Sequence, residues 1–222
     1  MKRIGIVAAL PGELKPLVRG WQRRGSIFVG RIGESEAVAA STGMGAAAVT
    51  RACEQVLASG SIDALASVGW AGSLSCGLKP PEAVTVREVI DARSGECFTT
   101  AHAQGQRLIT IDHVVSAPEK RSLAAKYQAT LVDMEASAVA RCASIRNLPF
   151  LCLKAVSDGP NDNLPDFNRF TGADGQLRMG ALVAWVLVHP QYWTAFGRLG
   201  KNSRLAAEEL AKLYNNILID WQ

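Results

Sequence analysis

Phe150-Leu151-Cys152-Leu153-Lys154-Ala155-Val156 is an apolar run carrying a single charge, entered through Pro149 and followed at once by Ser157-Asp158-Gly159-Pro160. It is too apolar to show one face to water. It therefore reads as a strand buried on both sides, as strands are at the centre of a parallel sheet covered by helices. Immediately upstream, Asp133 to Asn147 is the clearest helix: alanine-rich, with Met134, Ala138, Val139 and Cys142 on one stripe at helical spacing. A helix feeding a doubly buried strand is a unit of α/β architecture.

The rest of the chain extends that pattern. Arg3 to Ala9 is a second continuous apolar strand, and Ser26 to Ile32 and Glu36 to Ser41 form two more, joined by a turn at Gly33-Glu34-Ser35. Ala46 to Ser59 has helical spacing, Asp63 to Gly69 returns to an apolar strand, and Ala83 to Ile90 and Arg107 to Val115 are extended. A Gly, Asn, Asp and Pro-rich loop is expected from Ser157 to Gly175. Helices follow at 176–188 and 203–217, the last with Ala206, Leu210, Leu213, Tyr214 and Ile217 on its apolar face. No linker, repeat or low-complexity tract divides the chain, so one α/β domain spanning residues 1–222 with a mostly parallel core sheet is expected.

The 222 residues are 48% hydrophobic and 20% charged with a net charge of +4, which excludes disorder, collagen and coiled coil for the whole chain. Basic residues form only small groups such as Arg23-Arg24 and Lys120-Arg121, so no nucleic-acid partner is expected. Cys53, Cys76, Cys97, Cys142 and Cys152 are odd in number and lack zinc-site spacing. They read as reduced, mostly buried thiols of a cytoplasmic protein. His102, His113 and His189 are isolated, and no metal site is expected. Met1-Lys2-Arg3 and the short apolar run after it make a poor signal peptide, with Glu13 close behind. Ala181 to Val188 is far too short to span a bilayer.

Ligands of open α/β sheets bind outside the carboxyl ends of the strands. That rule selects Glu13, past the first strand; Gly69-Trp70-Ala71-Gly72, past the fourth; Asp133 and Glu135, at the first turn of the clear helix; and Ser157-Asp158, past Val156. Each has a simpler reading: Asp133 as an N-cap, Glu135 as a dipole partner, Asp158 as a turn former, Glu13 as a solvated or helix-opening residue. A rival motif is Gly43-Met44-Gly45-Ala46-Ala47-Ala48, the outline of a dinucleotide-binding turn and hence of an NAD-binding oxidoreductase. Its ribose acid would be Asp63, which precedes the following strand instead of ending it.

Together these segments resemble the purine nucleoside phosphorylase and nucleosidase superfamily, especially its nucleosidases acting on methylthioadenosine and S-adenosylhomocysteine. The matching pieces are Ile4-Gly5-Ile6-Val7-Ala8-Ala9 with Glu13, Ser41-Thr42-Gly43-Met44-Gly45, Val68-Gly69-Trp70-Ala71-Gly72, Val132-Asp133-Met134-Glu135-Ala136-Ser137-Ala138 and Lys154-Ala155-Val156-Ser157-Asp158. Residues 107–216 further resemble the hopanoid-associated branch of the family, notably at Leu108-Ile109-Thr110-Ile111-Asp112 and in the tail from Leu177 onward. The resemblance implies a three-layer α/β/α fold around a central mixed, mostly parallel sheet, and cleavage of the N-glycosidic bond of a purine nucleoside. It implies Asp158 as the acid that protonates the departing base, supported by Ser157. Glu135 would hold the ribose hydroxyls over Met134, Glu13 would activate water, and Val114 and Val115 would lie near the base. It also implies a homo-oligomer.

Those residue types suit the reaction. A purine leaves readily only when an acid protonates it, and the sugar cation that develops is stabilised by carboxylates. Different burial can keep one acid protonated while another stays ionised. Trp70, at a substrate-binding position, stands where the family often has Ser, Lys154 where the nucleosidases have Arg, and Val114 where an aromatic packs on the base. Ser67 replaces a phosphate-binding Arg of bacterial phosphorylases. Hydrolysis without a cofactor is therefore expected over phosphorolysis, in which phosphate would be co-substrate. A non-catalytic nucleoside-binding protein is the alternative of another class. Trp185, Tyr192, Trp193 and Phe196 beside Arg198, Lys201 and Arg204 are further read as a segment that touches the membrane surface. With the hopanoid-branch resemblance, this makes an adenosyl-bearing triterpenoid the expected substrate.

Overall fold

The computed structural model describes residues 2–162, 167–170, 172 and 178–220. Its strands are β1 (Arg3–Ala8), β2 (Gln22–Arg24), β3 (Ile27–Ile32), β4 (Ser35–Ser41), β5 (Ala64–Ser73), β6 (Ala83–Asp91), β7 (Cys97–Thr99), β8 (Gln106–Thr110), β9 (Leu131–Asp133) and β10 (Phe150–Asp158). The helices are α1 (Pro11–Leu14), α2 (Ala46–Ala58), α3 (Ala117–Tyr127), α4 (Ala136–Ile145), α5 (Met179–Leu187) and α6 (Trp193–Asp220).

The ten described strands join one mixed sheet in the order β10-β6-β8-β9-β5-β1-β4-β3-β2, with β7 on β6. Parallel pairs β4–β1, β1–β5 and β5–β10 hold its centre, while antiparallel pairs occupy the β2–β3–β4 edge and the β10–β6 and β5–β9 junctions. Because β5 pairs with both β9 and β10, strands β5, β10, β6, β8 and β9 curl into a closed ring. Gly72 of β5 has Asp158 as partner on one side and Val132 on the other. The ends of β9 and β10 thereby meet at one point.

Side-chain alternation explains the layers. In β1, Ile4, Ile6 and Ala8 pack to one face and Val7 to the other; β4 divides Ala37 and Ala39 from Val38 and Ala40 in the same way. On the Val7 face, α2 contributes Val49, Ala52, Cys53 and Val56, and α4 contributes Ala136, Val139, Ala140 and Ala143. The opposite face is covered by Leu14 of α1 and by Ala206, Leu210 and Tyr214 of α6. Leu74, Ile90, Ile109 and Val115 form a smaller core beneath α3.

Several expected boundaries move. The strand from Arg107 ends at Thr110, and the chain runs irregularly to Val115 before α3. Asp133 ends β9 and is not in the helix, which begins at Ala136. Ser157 and Asp158 belong to β10, not to a loop. The last helix starts at Trp193, ahead of the expected 203, since Gly197 and Gly200 dilute its helical signature without breaking it. Helix 176–188 is described from Met179, and much of the 157–175 loop lies outside the described residues. The thiols are all free, but Cys76 and Cys97 are exposed and only Cys53 and Cys152 are buried, so "mostly buried" does not hold.

Candidate active site

A cavity of about 860 Å³ lies over the ends of β1, β5, β9 and β10 and reaches the flank of α5 and α6. Of the residues expected at the site, Glu13, Trp70, Val114, Val115, Asp133, Met134, Glu135, Ser157 and Asp158 line it, and Gly69 does not. Glu13 enters from α1, Trp70 from β5, Val114 and Val115 from the segment after β8, Met134 and Glu135 from the β9–α4 junction, and Ser157 and Asp158 from β10.

Glu13 is the third residue of α1 and is buried at 6% exposure. Its carboxylate accepts the Leu10 N–H at 2.7 Å, as a glutamate at that helical position often does, and the Trp70 N–H at 2.8 Å. The approach depends on Gly69, where a Cβ would fall 2.6 Å from Glu13 Oε1. Burial pushes the Glu13 carboxyl above its ordinary value, against the opposing pull of those amides and of Lys154. A carboxylate so raised is a stronger base than an exposed one.

Glu135 precedes the first turn of α4, half-buried, and accepts the N–H of Gly45 at 2.8 Å. Gly45 sits in the left-handed region at φ 84° where α2 begins, so the amino end of that helix is aimed at this carboxylate. Burial, and then the neighbouring Asp133, push Glu135 up to about 8. The glycine turn that could have cradled a pyrophosphate is thus occupied by a carboxylate. Asp63, the required ribose acid, accepts the Arg3 N–H at 2.6 Å at the opposite, amino end of β1. The dinucleotide reading fails on both counts.

Asp133 and Lys154 form a buried ion pair at 2.8 Å, with side-chain exposures of 0% and 2%. Asp133 also accepts the Thr110 hydroxyl at 2.7 Å and the Ala136 N–H at 2.9 Å. Burial works against the Lys154 charge, but Asp133 and Glu13 more than offset it, and its pKa lies above the ordinary value. Lys154 thus stands as a buried cation among the floor carboxylates Glu13, Asp133 and Glu135.

At the far side of that floor, Ser157 Oγ donates to Asp158 Oδ1 at 2.6 Å. Asp158 Oδ2 is met at 2.5 Å by Nζ of Lys120, which also donates to the Gly159 carbonyl at 2.7 Å. Lys120, the first member of the small basic group Lys120-Arg121, is 1% exposed. The missed signal was the start of α3: Ser116 ahead of Ala117-Pro118 is a cap followed by an early proline.

The aromatic tail divides. Trp185 and Phe196 pack half-buried on Phe170, Leu182 and Val186, while Trp193 is 54% exposed beside exposed Leu187 and Val188. Leu182, Phe196, Leu199, Arg204 and Ala207 line the cavity's outer wall. Among the described residues no cluster of His, Cys, Asp and Glu could hold a metal ion, and no helix is long and apolar enough to cross a membrane.

The phosphorylase superfamily model matches residues 3–114 and 107–187. A 5′-methylthioadenosine/S-adenosylhomocysteine nucleosidase of Buchnera aphidicola is 27% identical, over 74% of this chain and 81% of its own. The Helicobacter pylori nucleosidase of the same name, solved in complex with a substituted pyrrolidin-3-ol, superposes with a TM-score of 0.73 at 17% identity, covering 99% of this chain and 98% of its own. Futalosine hydrolase of the same organism gives the same values. Those structures share the fold, and the matched segments run through the first four-fifths of the sequence: the chain belongs to the phosphorylase superfamily.

Proposed function

We propose that this protein is an enzyme that hydrolyses the N-glycosidic bond of an adenosyl-type purine nucleoside and releases the base. The observation that carries the reading is the convergence of Glu13, Glu135 and Asp158, from three distant segments, on one cavity floor. Asp158, steadied by Ser157, delivers a proton to the departing base. Glu135 accepts the ribose hydroxyls above Met134, and Glu13 takes the proton of the attacking water. Val114 and Val115 border the base. As the bond breaks, positive charge grows on the sugar beside Glu13, whose carboxylate stabilises it, while Glu135 hydrogen-bonds the hydroxyls.

Water is favoured over phosphate because the attack side carries Glu13 and Glu135 while its buried cation, Lys154, is already paired with Asp133. A phosphate ion needs several unspent donors and positive charge. The similarity to nucleosidases supports the same choice. The protein is read as a cytoplasmic homo-oligomer of one-domain subunits that needs no cofactor. Its cavity, within the usual range for a drug-sized ligand, continues into an apolar wall from α5 and α6. With Leu187, Val188 and Trp193 exposed beyond that wall, the substrate we infer carries a large apolar 5′ group, an adenosyl triterpenoid, met at a membrane surface.

The test is incubation with 5′-methylthioadenosine and with the adenosyl triterpenoid in liposomes, each with and without phosphate. Free base and free sugar are expected in phosphate-free buffer. Strict dependence on phosphate with formation of a sugar 1-phosphate overturns hydrolysis, and cleavage of the small nucleoside alone overturns the lipid assignment. Nucleoside binding without base release overturns the enzyme.

A further inference from the structure

We infer that Lys120 supplies the proton that leaves with the base, acting through Asp158; the inference rests on the reading of Asp158 as the acid. A general acid must have a proton to give. In this structure Asp158 is a buried partner of an ammonium: Oδ2 faces Lys120 Nζ at 2.5 Å and Oδ1 accepts the Ser157 hydroxyl at 2.6 Å. Both carboxylate oxygens thus accept hydrogen bonds, and the nearest ionisable hydrogens are those of Lys120.

The side chain is placed for that work. Lys120 lies on the first turns of α3, lines the cavity beside Asp158, and is 1% exposed. Its other bond, to the Gly159 carbonyl at 2.7 Å, is to an acceptor that cannot take its proton. The neighbouring acid on α3, Glu119, is engaged by His113 at 2.7 Å, 45% exposed on the side chain. A buried lysine is costly to place unless it is paired, and its ammonium is a readily deprotonated donor compared with a guanidinium.

The bond from the sugar carbon to the base breaks and its electron pair goes to the base. A proton passes from Lys120 Nζ to Asp158 and from Asp158 to a ring nitrogen of the base, leaving a neutral amine beside a carboxylate. Water adds to the sugar carbon and gives its proton to Glu13. Glu13 then releases that proton to solvent and Lys120 takes one back. The net change is nucleoside plus water to base plus sugar.

The experiment compares Lys120→Met, Lys120→Arg and Asp158→Asn on two substrates: 5′-methylthioadenosine, whose base needs a proton, and 4-nitrophenyl riboside, whose leaving group does not. Lys120→Met and Lys120→Arg should each lower kcat on the nucleoside by at least about a hundredfold. Both should cleave the nitrophenyl riboside within a few-fold of wild type, which also shows that they are folded. Arginine keeps the charge and the hydrogen bonds but holds its proton too tightly to pass it on. Near wild-type activity of Lys120→Arg on the nucleoside would show Lys120 to be a strut and overturn the proposal. So would equal losses on both substrates. If Lys120→Met does not fold, the arginine variant decides alone. A crippled Asp158→Asn beside unaffected Lys120 variants defeats only the Lys120 proposal, whereas a fully active Asp158→Asn defeats the reading of the acid as well.

Discussion

Glu13, Glu135 and Asp158, on the floor of the cavity, each hold a partner from another element: the Trp70 amide of β5, the Gly45 amide opening α2, and the Lys120 ammonium of α3. On the outer wall, Leu182, Phe196, Leu199 and Ala207 offer apolar surface around Arg204, and Leu187, Val188 and Trp193 are exposed. The floor is held by directional bonds with little freedom left, as a group that must meet a developing charge needs to be. The wall discriminates by area, and a methylene more or less changes affinity only modestly. Bond cleavage therefore belongs to the floor and substrate choice to the wall, and substitutions in the two regions should separate along that line.

The sharpest way to break this division is Asp158→Asn, nearly isosteric and on the floor. Base release should fall by at least about a hundredfold in protein that still folds, with a lowered thermal transition because Lys120 loses its buried partner. Wild-type rates would make Asp158 an ordinary strand end and leave the floor without an acid. Gly69→Ala should act next most strongly. A Cβ 2.6 Å from Glu13 Oε1 must displace that carboxylate from the Trp70 amide, and turnover should fall by roughly tenfold or more as the base loses its geometry. An unchanged rate in steady-state assays would show that Glu13 works from another position.

The floor also predicts a pH dependence of stability. Burial and the neighbouring Asp133 raise Glu135 to about 8 in the folded protein, while an unfolded glutamate titrates near ~4.3. The folded state then holds this proton more tightly. That contribution is complete below the unfolded value and is lost as pH rises toward about 8. Glu135→Gln has no such proton to lose. Between pH 5 and 8 its melting temperature should decline less than that of wild type, and parallel melting profiles would refute the shift.

How much of this was legible differs between the same two regions. The carboxyl-end rule located Glu13 and Ser157-Asp158, because buried strands announce themselves by composition and their ends follow directly; Glu135 was legible from the first turn of the clear helix. The ion pairs did not show. Lys120 sits on a helix of low amphipathicity, and its partner lies 38 positions away. Lys154 is visible as the single charge of an apolar run, but its pairing with Asp133 requires β9, a strand of three residues that no periodicity can reveal. The wall was legible only as composition: an aromatic and basic tail, which folding divides into a half-buried cluster and an exposed edge.

Phe196→Ala tests the wall. Removing the ring should raise KM several-fold for nucleosides with large apolar 5′ groups, at about 1 kcal/mol or more of lost burial, and leave adenosine nearly unchanged. Equal losses on both substrates would place the ring against the nucleoside itself and erase the division of labour.

The smallest expected effect lies on the same long helix, away from the cavity. Tyr214 of α6 is fully buried against β-sheet residues, and its hydroxyl has no hydrogen-bond partner among the described residues. Burial pushes its pKa well above the ordinary value, so it carries no charge and offers only an unsatisfied hydroxyl to an apolar layer. The floor carboxylates are bonded and would lose by truncation, whereas this group should gain by it. An unpaired buried hydroxyl costs about 1–3 kcal/mol, and Tyr214→Phe removes that cost while keeping the ring that fills the space. At about 1 kcal/mol the melting temperature of a chain this long should rise by roughly 2–4 °C, with catalysis on either substrate unchanged. A fall in melting temperature would mean that a buried water satisfies the hydroxyl, and that α6 is anchored by the same directional bonding as the floor.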